Sequence, residues 1–163
     1  MGYAVIRLIA AALIALSAIP ALAQDKPSPK DSAAIEKCVK EKTAHNWAWE
    51  KCIGLISEPC SKDETSMPPS QVIACYSREQ AVWDNILNKS YQLLRERLEE
   101  DQVAKLRDMQ RAWITSRDKT CGFLYDYFQG TMANPMIAAC TSRATGLQAL
   151  YLRGFADDVA DRK

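Results

Sequence analysis

At 163 residues, with 21 Lys and Arg against 20 Asp and Glu, the chain has the length of one domain and almost no net charge. So balanced a chain lacks the long-range field that would draw it onto nucleic acid or an anionic bilayer, which argues against nucleic-acid binding. Six cysteines accompany a single histidine, leaving little material for a metal or a His-based catalytic centre.

The first 23 residues read as a signal peptide. Arg7 supplies a positive start, an apolar run extends from Leu8 to Leu22, and Ala21-Leu22-Ala23 offers small residues for cleavage before Gln24. The competing reading is a permanent membrane anchor. The run is short for a bilayer span of about 20 residues, and Pro20 with the Ala-x-Ala ending favours removal. No cysteine stands at the cleavage point to accept lipid. Losing the leader removes Arg7, leaving twenty basic and twenty acidic residues in a periplasmic or secreted bacterial protein.

In that oxidising setting an even set of cysteines implies three disulfides. The spacings contain no Cys-x-x-Cys pair, and so neither a zinc nor a haem signature; no cofactor or metal is expected. The only histidine, His45, stands beside Asn46 in a predicted turn and reads as an exposed turn residue rather than the base of a triad.

Residues 24–31 are polar and Pro-rich and read as a flexible leader. Asp31 or Ser32 is placed to cap a first helix over 32–44, with Ala34, Ile35 and Cys38 on its apolar side. His45-Asn46 breaks it. A second helix over 47–57 would turn Trp47, Trp49, Cys52, Ile53 and Ile56 to a core, completing an N-terminal extension over 32–57. Glu58 to Pro69 reads as a loop, after which Ser70 caps a long helix to about residue 100. Its apolar residues Val72, Tyr76, Trp83, Leu87, Tyr91, Leu94 and Leu98 recur at helical steps. A further helix over 101–128 repeats the pattern with Val103, Leu106, Trp113 and Leu124. Only Glu99-Glu100-Asp101 separates the two, so they fold back as an antiparallel hairpin or continue as one rod. Gln129 to Pro135 is a loop, and a last helix over 136–159 carries Ile137, Cys140, Ala144, Leu147, Tyr151 and Phe155. No segment reads as a strand. The expected fold is all-α, a small antiparallel bundle with a long helical hairpin.

Helix geometry restricts the disulfides. Fourteen residues of unbroken helix would separate Cys38 from Cys52 by about 21 Å, whereas a disulfide needs Cα atoms roughly 4.4–6.8 Å apart. Each sequential pair has a chain reversal between its members: His45-Asn46, Pro68-Pro69, and Gly130 with Asn134-Pro135. The pairing predicted is therefore Cys38–Cys52, Cys60–Cys75 and Cys121–Cys140, each closure adding about 3 kcal/mol on the chain-entropy model.

Three blocks stand out on these helices. Glu79, Trp83, Asp84, Leu87, Asn88 and Tyr91 form one; Leu106, Gln110, Trp113, Arg117, Asp118 and Cys121 form the next; Gly130, Cys140 and Thr145 follow. Together they make residues 58–152 resemble the LprI-like lysozyme inhibitor family, small exported helical proteins of bacteria. Gln129-Gly130 replaces the double Gly common in that family, and Gln148 stands where it often has Arg. Read from the residues alone, the blocks are mostly structural. Asn88, Gln110 and Arg117 lie at stripe edges where a hydrogen-bonded set across the hairpin would fix register, and Trp83 and Trp113 read as core. Arg117 with Asp118 as a ligand or catalytic site is the weaker alternative.

The resemblance implies a protein-binding inhibitor with lysozyme as partner. Its contact loops would be Ser57–Ser70, with Glu58, Asp63, Glu64 and Ser66, and Gln129–Asn134, with Gln129, Gly130 and Asn134. A general cell-envelope interaction or scaffold module without lysozyme activity is the other class. An enzyme is not expected, since no nucleophile–base pair can be assembled.

Overall fold

The computed structural model describes residues 27–44 and 48–162. The leader, its cleavage point, and His45, Asn46 and Trp47 lie outside them. Among the described residues five α-helices and one 3₁₀ turn occur in the order α1 (Pro29–Ala44), the 3₁₀ turn (Trp49–Cys52), α2 (Ser57–Cys60), α3 (Pro69–Arg97), α4 (Glu100–Phe128) and α5 (Ala133–Asp161). There is no strand among the described residues, and the fold is all-α. All three disulfides pair as the chain reversals require: Cys38–Cys52, Cys60–Cys75 and Cys121–Cys140, with Cα atoms 5.9, 5.6 and 5.6 Å apart.

Each long helix starts by a device written in the sequence. Pro69 occupies the first turn of α3, where its missing N–H is not needed. Pro135 does the same in α5, so Asn134-Pro135 begins the helix and does not belong to the loop before it. The α3–α4 reversal has neither Gly nor Pro. It is made by a capping box in which the Glu99 side chain accepts from the backbone of Gln102, and the Gln102 side chain accepts from the Glu99 N–H at 3.2 Å.

The chain turns back at Leu98-Glu99, yet α3 and α4 scarcely touch each other; α5 lies along both. Trp83 approaches Gly146, and Ile86 to Leu93 face Arg153 to Asp157, so α3 and α5 run parallel. Gln110 meets Gln148 and Cys121 meets Cys140, so α4 and α5 run antiparallel. The core holds Trp83, Leu87 and Leu94 of α3, Leu106 of α4, and Leu150 and Leu152 of α5, with Ile35 and Val39 of α1 laid against them.

The face that α5 buries differs from the sequence expectation. Ser142, Thr145, Gly146, Ala149 and Ala156 are buried, whereas Leu147, Tyr151 and Phe155 are exposed. Small residues win the inner face because they let α3 approach closely. A Cβ at Gly146 would lie 3.0 Å from Ile53 Cγ1 and 3.3 Å from the Trp83 indole nitrogen. Gly146→Val is therefore expected to destabilise the fold by about 2 kcal/mol, read from the urea midpoint, because overpacking pushes Ile53 and the Trp83 indole away from α5.

Helix α1 begins at Pro29, so residues 29–31 of the expected flexible leader form its first turn. Asp31 is thus inside the helix, almost fully buried, and accepts a bidentate pair from Arg78 of α3 at 2.5 and 2.6 Å. That hydrogen bond, and then the opposite charge, raise the Arg78 pKa above its ordinary value. On the other side Arg153 of α5 donates to Glu36 at 2.5 Å. The N-terminal extension is thereby held by buried Ile35 and Val39, the Cys38–Cys52 bond and two ion pairs.

Candidate functional site

The second helix expected over 47–57 does not form. A 3₁₀ turn covers Trp49–Cys52, Gly54 takes φ +98°, and a separate single turn spans Ser57–Cys60. The cause is Glu79. Its fully buried carboxylate accepts the backbone N–H groups of Gly54 (2.7 Å), Ile56 (2.9 Å) and Ser57 (2.7 Å). The Ser57 hydroxyl donates to it at 2.9 Å and the Trp83 indole N–H at 2.9 Å. Five donors converging on one carboxylate outweigh the few backbone bonds a short helix would supply, and only Gly accepts the left-handed conformation at 54 without strain. The sequence carried a signal for this: Glu79 occupies an apolar-stripe position, one turn before a buried Trp.

From this clamp the chain enters α2, is stapled to α3 by Cys60–Cys75, and runs to Pro69 through tight turns. The Asp63 carbonyl accepts from Ser66 N–H (2.8 Å), Met67 N–H (3.1 Å) and the Ser66 hydroxyl (2.9 Å). Lys62, Asp63, Glu64 and Ser66 are all exposed. Glu58 is exposed as well and folds its side chain over Gly54.

The second expected loop comes to the same end of the molecule. Because α3 and α5 run parallel and each starts about four turns before the Trp83–Gly146 contact, the segments preceding Pro69 and Ala133 are neighbours. The α4–α5 turn is tight, with Gln129 at φ +50° and Gly130 at φ +106°. Cys121–Cys140 staples it from behind. The distal half of α4 buries little besides Cys121, and Phe123, Tyr127 and Met132 are 60%, 69% and 65% exposed, with Tyr125 and Phe128 also outward. Tyr127 packs against Phe123 (ring centroids 6.1 Å apart) and edge-on to Phe128 (4.9 Å). This end therefore joins two stapled turns, a cluster of solvent-facing aromatic residues, and the acidic Glu58, Asp63, Glu64 and Asp126. Interfaces are enriched in Tyr, Phe and Met in just this way.

The remaining motif residues are distributed through the bundle. Trp83 and Leu87 are core; Tyr91 is partly buried under Arg95. Among the described residues no side-chain hydrogen bond of Asn88, Gln110 or Arg117 joins α3 to α4; Gln110 of α4 accepts instead from Gln148 of α5. Asn88 donates instead to Asp84 on its own helix (3.0 Å), and Arg117 to neighbouring Asp118 (2.9 and 2.8 Å), since α5 separates α3 from α4. Trp113 is half-buried, not fully core, with the Arg117 guanidinium 4.9 Å above its ring. Shallow depressions among the described residues lie elsewhere. In one, between α3 and α5, Arg153 is paired with Glu36 and Asp157; another lies between Pro27-Ser28 and the outer face of α3. No described helix is long and apolar enough to cross a membrane.

No curated protein and no solved structure matches the chain. The family model described as Lysozyme inhibitor LprI matches residues 60–152. That stretch takes in the Cys60–Cys75 and Cys121–Cys140 staples, the Glu79–Trp83 pair and the Gln110–Gln148 contact, and with it the chain belongs to the LprI lysozyme inhibitor family.

Proposed function

We propose that the protein is an exported inhibitor of lysozyme in the bacterial envelope, most fittingly the periplasm, that acts by binding and not by catalysis. The observation that carries this reading is the family match over residues 60–152. The stapled end of the bundle supports it. Preorganised loops lose less entropy on binding, and the disulfides and the Glu79 clamp preorganise both. On this reading the turn containing Asp63, Glu64 and Ser66, with Glu58 beside it, enters the sugar-binding cleft and offers acceptors to the enzyme's catalytic acid. Gln129, Gly130 and Asn134, with the aromatic residues around them, cover the rim. The chain as a whole is near neutral, so steering towards a cationic enzyme falls to the acids of this end.

The test is turnover of a peptidoglycan suspension by lysozyme with the oxidised protein added. Dose-dependent slowing at micromolar concentrations is expected. Asp63→Asn with Glu64→Gln should raise the inhibition constant about tenfold, with a weaker salt dependence. Undiminished turnover at micromolar excess would remove the lysozyme reading. Recovery of another envelope protein on the immobilised chain would then favour the general interaction module.

A further inference from the structure

The row Leu147, Tyr151 and Phe155 has the spacing of a core-facing stripe, yet α5 turns it outward, 44%, 51% and 46% exposed. Tyr151 and Phe155 are already seated edge-on against each other, ring centroids 4.9 Å apart. An apolar row of this kind on a helix marks an interaction surface. We propose that its occupant is a second copy of this chain, with the two α5 helices packed antiparallel about a twofold axis at Tyr151.

The sequence of the row is self-complementary about that point. Leu147 and Phe155 stand four residues either side of Tyr151, so each meets the other's counterpart across the axis. Exposed Arg143 lies eight residues before Tyr151 and exposed Asp158 seven residues after it. In the antiparallel pair Arg143 of one copy reaches the acidic last turns of the other, Asp157, Asp158 and Asp161. A twofold interface requires this reciprocity: what one copy offers at one end, it must accept at the other.

Charge placement along α5 argues in the same direction. Residues 133–152 contain one charged side chain, Arg143, which has no ion pair among the described residues. The acids gather instead at the C-terminal end of the helix, where the macrodipole disfavours negative charge. Within the single chain they are answered by Arg153, which pairs with Asp157, and by Arg162, which pairs with Asp158. Antiparallel docking brings a further cation to each acidic end and sets the two macrodipoles in opposition. The near-zero net charge of the chain adds no long-range repulsion between copies. The row begins more than two turns beyond the α4–α5 turn, so the stapled end stays open in the dimer.

Sedimentation equilibrium of the oxidised exported protein, from about 1 µM to 1 mM, tests this; a concentration-dependent monomer–dimer equilibrium is expected. Tyr151→Glu should weaken it by about tenfold or more, and Arg143→Glu by roughly threefold or more, with unchanged circular dichroism. The charge swap Arg143→Glu with Asp158→Arg should return association to within about twofold of the unmodified protein. A single-chain mass throughout the range, or a dimer indifferent to Tyr151→Glu, would overturn the proposal. Failure of the charge swap to restore what Arg143→Glu removes would overturn the antiparallel arrangement.

Discussion

Replacement of Glu79 by alanine is expected to cost about 3–5 kcal/mol of stability, the largest effect of any single substitution considered for this fold. The change does more than remove a contact. It leaves the N–H groups of Gly54, Ile56 and Ser57 and the indole N–H of Trp83 without their acceptor, and the carboxylate site they surround is buried. Each buried orphan carries a desolvation penalty that the remaining structure cannot offset without opening the 53–57 segment. Glu79→Gln should be milder, about 2–3 kcal/mol, because one oxygen still accepts while the amide turns hydrogens towards donors. Thermal unfolding of the oxidised proteins checks both. The alanine variant should melt roughly 10 °C or more below the parent, with the glutamine variant between them. Equal melting temperatures for Glu79→Ala and the parent would mean that water or a rearranged loop replaces the carboxylate.

Removal of Cys121–Cys140 should produce the second largest effect, with a different signature. The 19-residue separation predicts a loss of about 3 kcal/mol on the chain-entropy model, similar to the other two bonds. What distinguishes this staple is the weakness of what remains. Beyond Gln110, α4 buries only Cys121, so little else holds its last turns against α5. In the Cys121→Ala, Cys140→Ala protein, amide hydrogen exchange should accelerate strongly over residues 118–134 and little within α3. The loss of Cys60–Cys75 should instead be felt around the Glu79 clamp. Uniform acceleration across the molecule after loss of Cys121–Cys140 would show that α4 is bound to the bundle more firmly than its burial implies.

The disulfides were legible in the sequence because covalent reach is short and each sequential pair had one obvious reversal between its members. The long helices were legible because Val72 to Leu98, and Leu106 with its successors, hold a 3.6-residue period. Three features were hidden. The 47–57 helix failed because a residue 25 positions from Gly54 claims its backbone, and local propensity contains no term for such a partner. The orientation of α5 was misleading because hydrophobicity points to Leu147, Tyr151 and Phe155, whereas close packing on α3 selects Ser142, Gly146 and Ala149. Sterics of a parallel helix pair decided that contest, and they exist only once the pair has formed. The placing of the Ser57–Ser70 and Gln129–Asn134 segments at one end was likewise out of reach: each was visible alone, but their proximity follows from the parallel course of α3 and α5.

In the proposed complex the doubly stapled end of the bundle meets lysozyme. Hydrogen-exchange footprinting of the oxidised protein mixed with lysozyme tests it most directly. Protection is predicted over residues 61–68 and 127–134, with α1 and the outer face of α3 unchanged by the enzyme. A footprint confined to α1 and α3, or identical exchange with and without lysozyme, would contradict it.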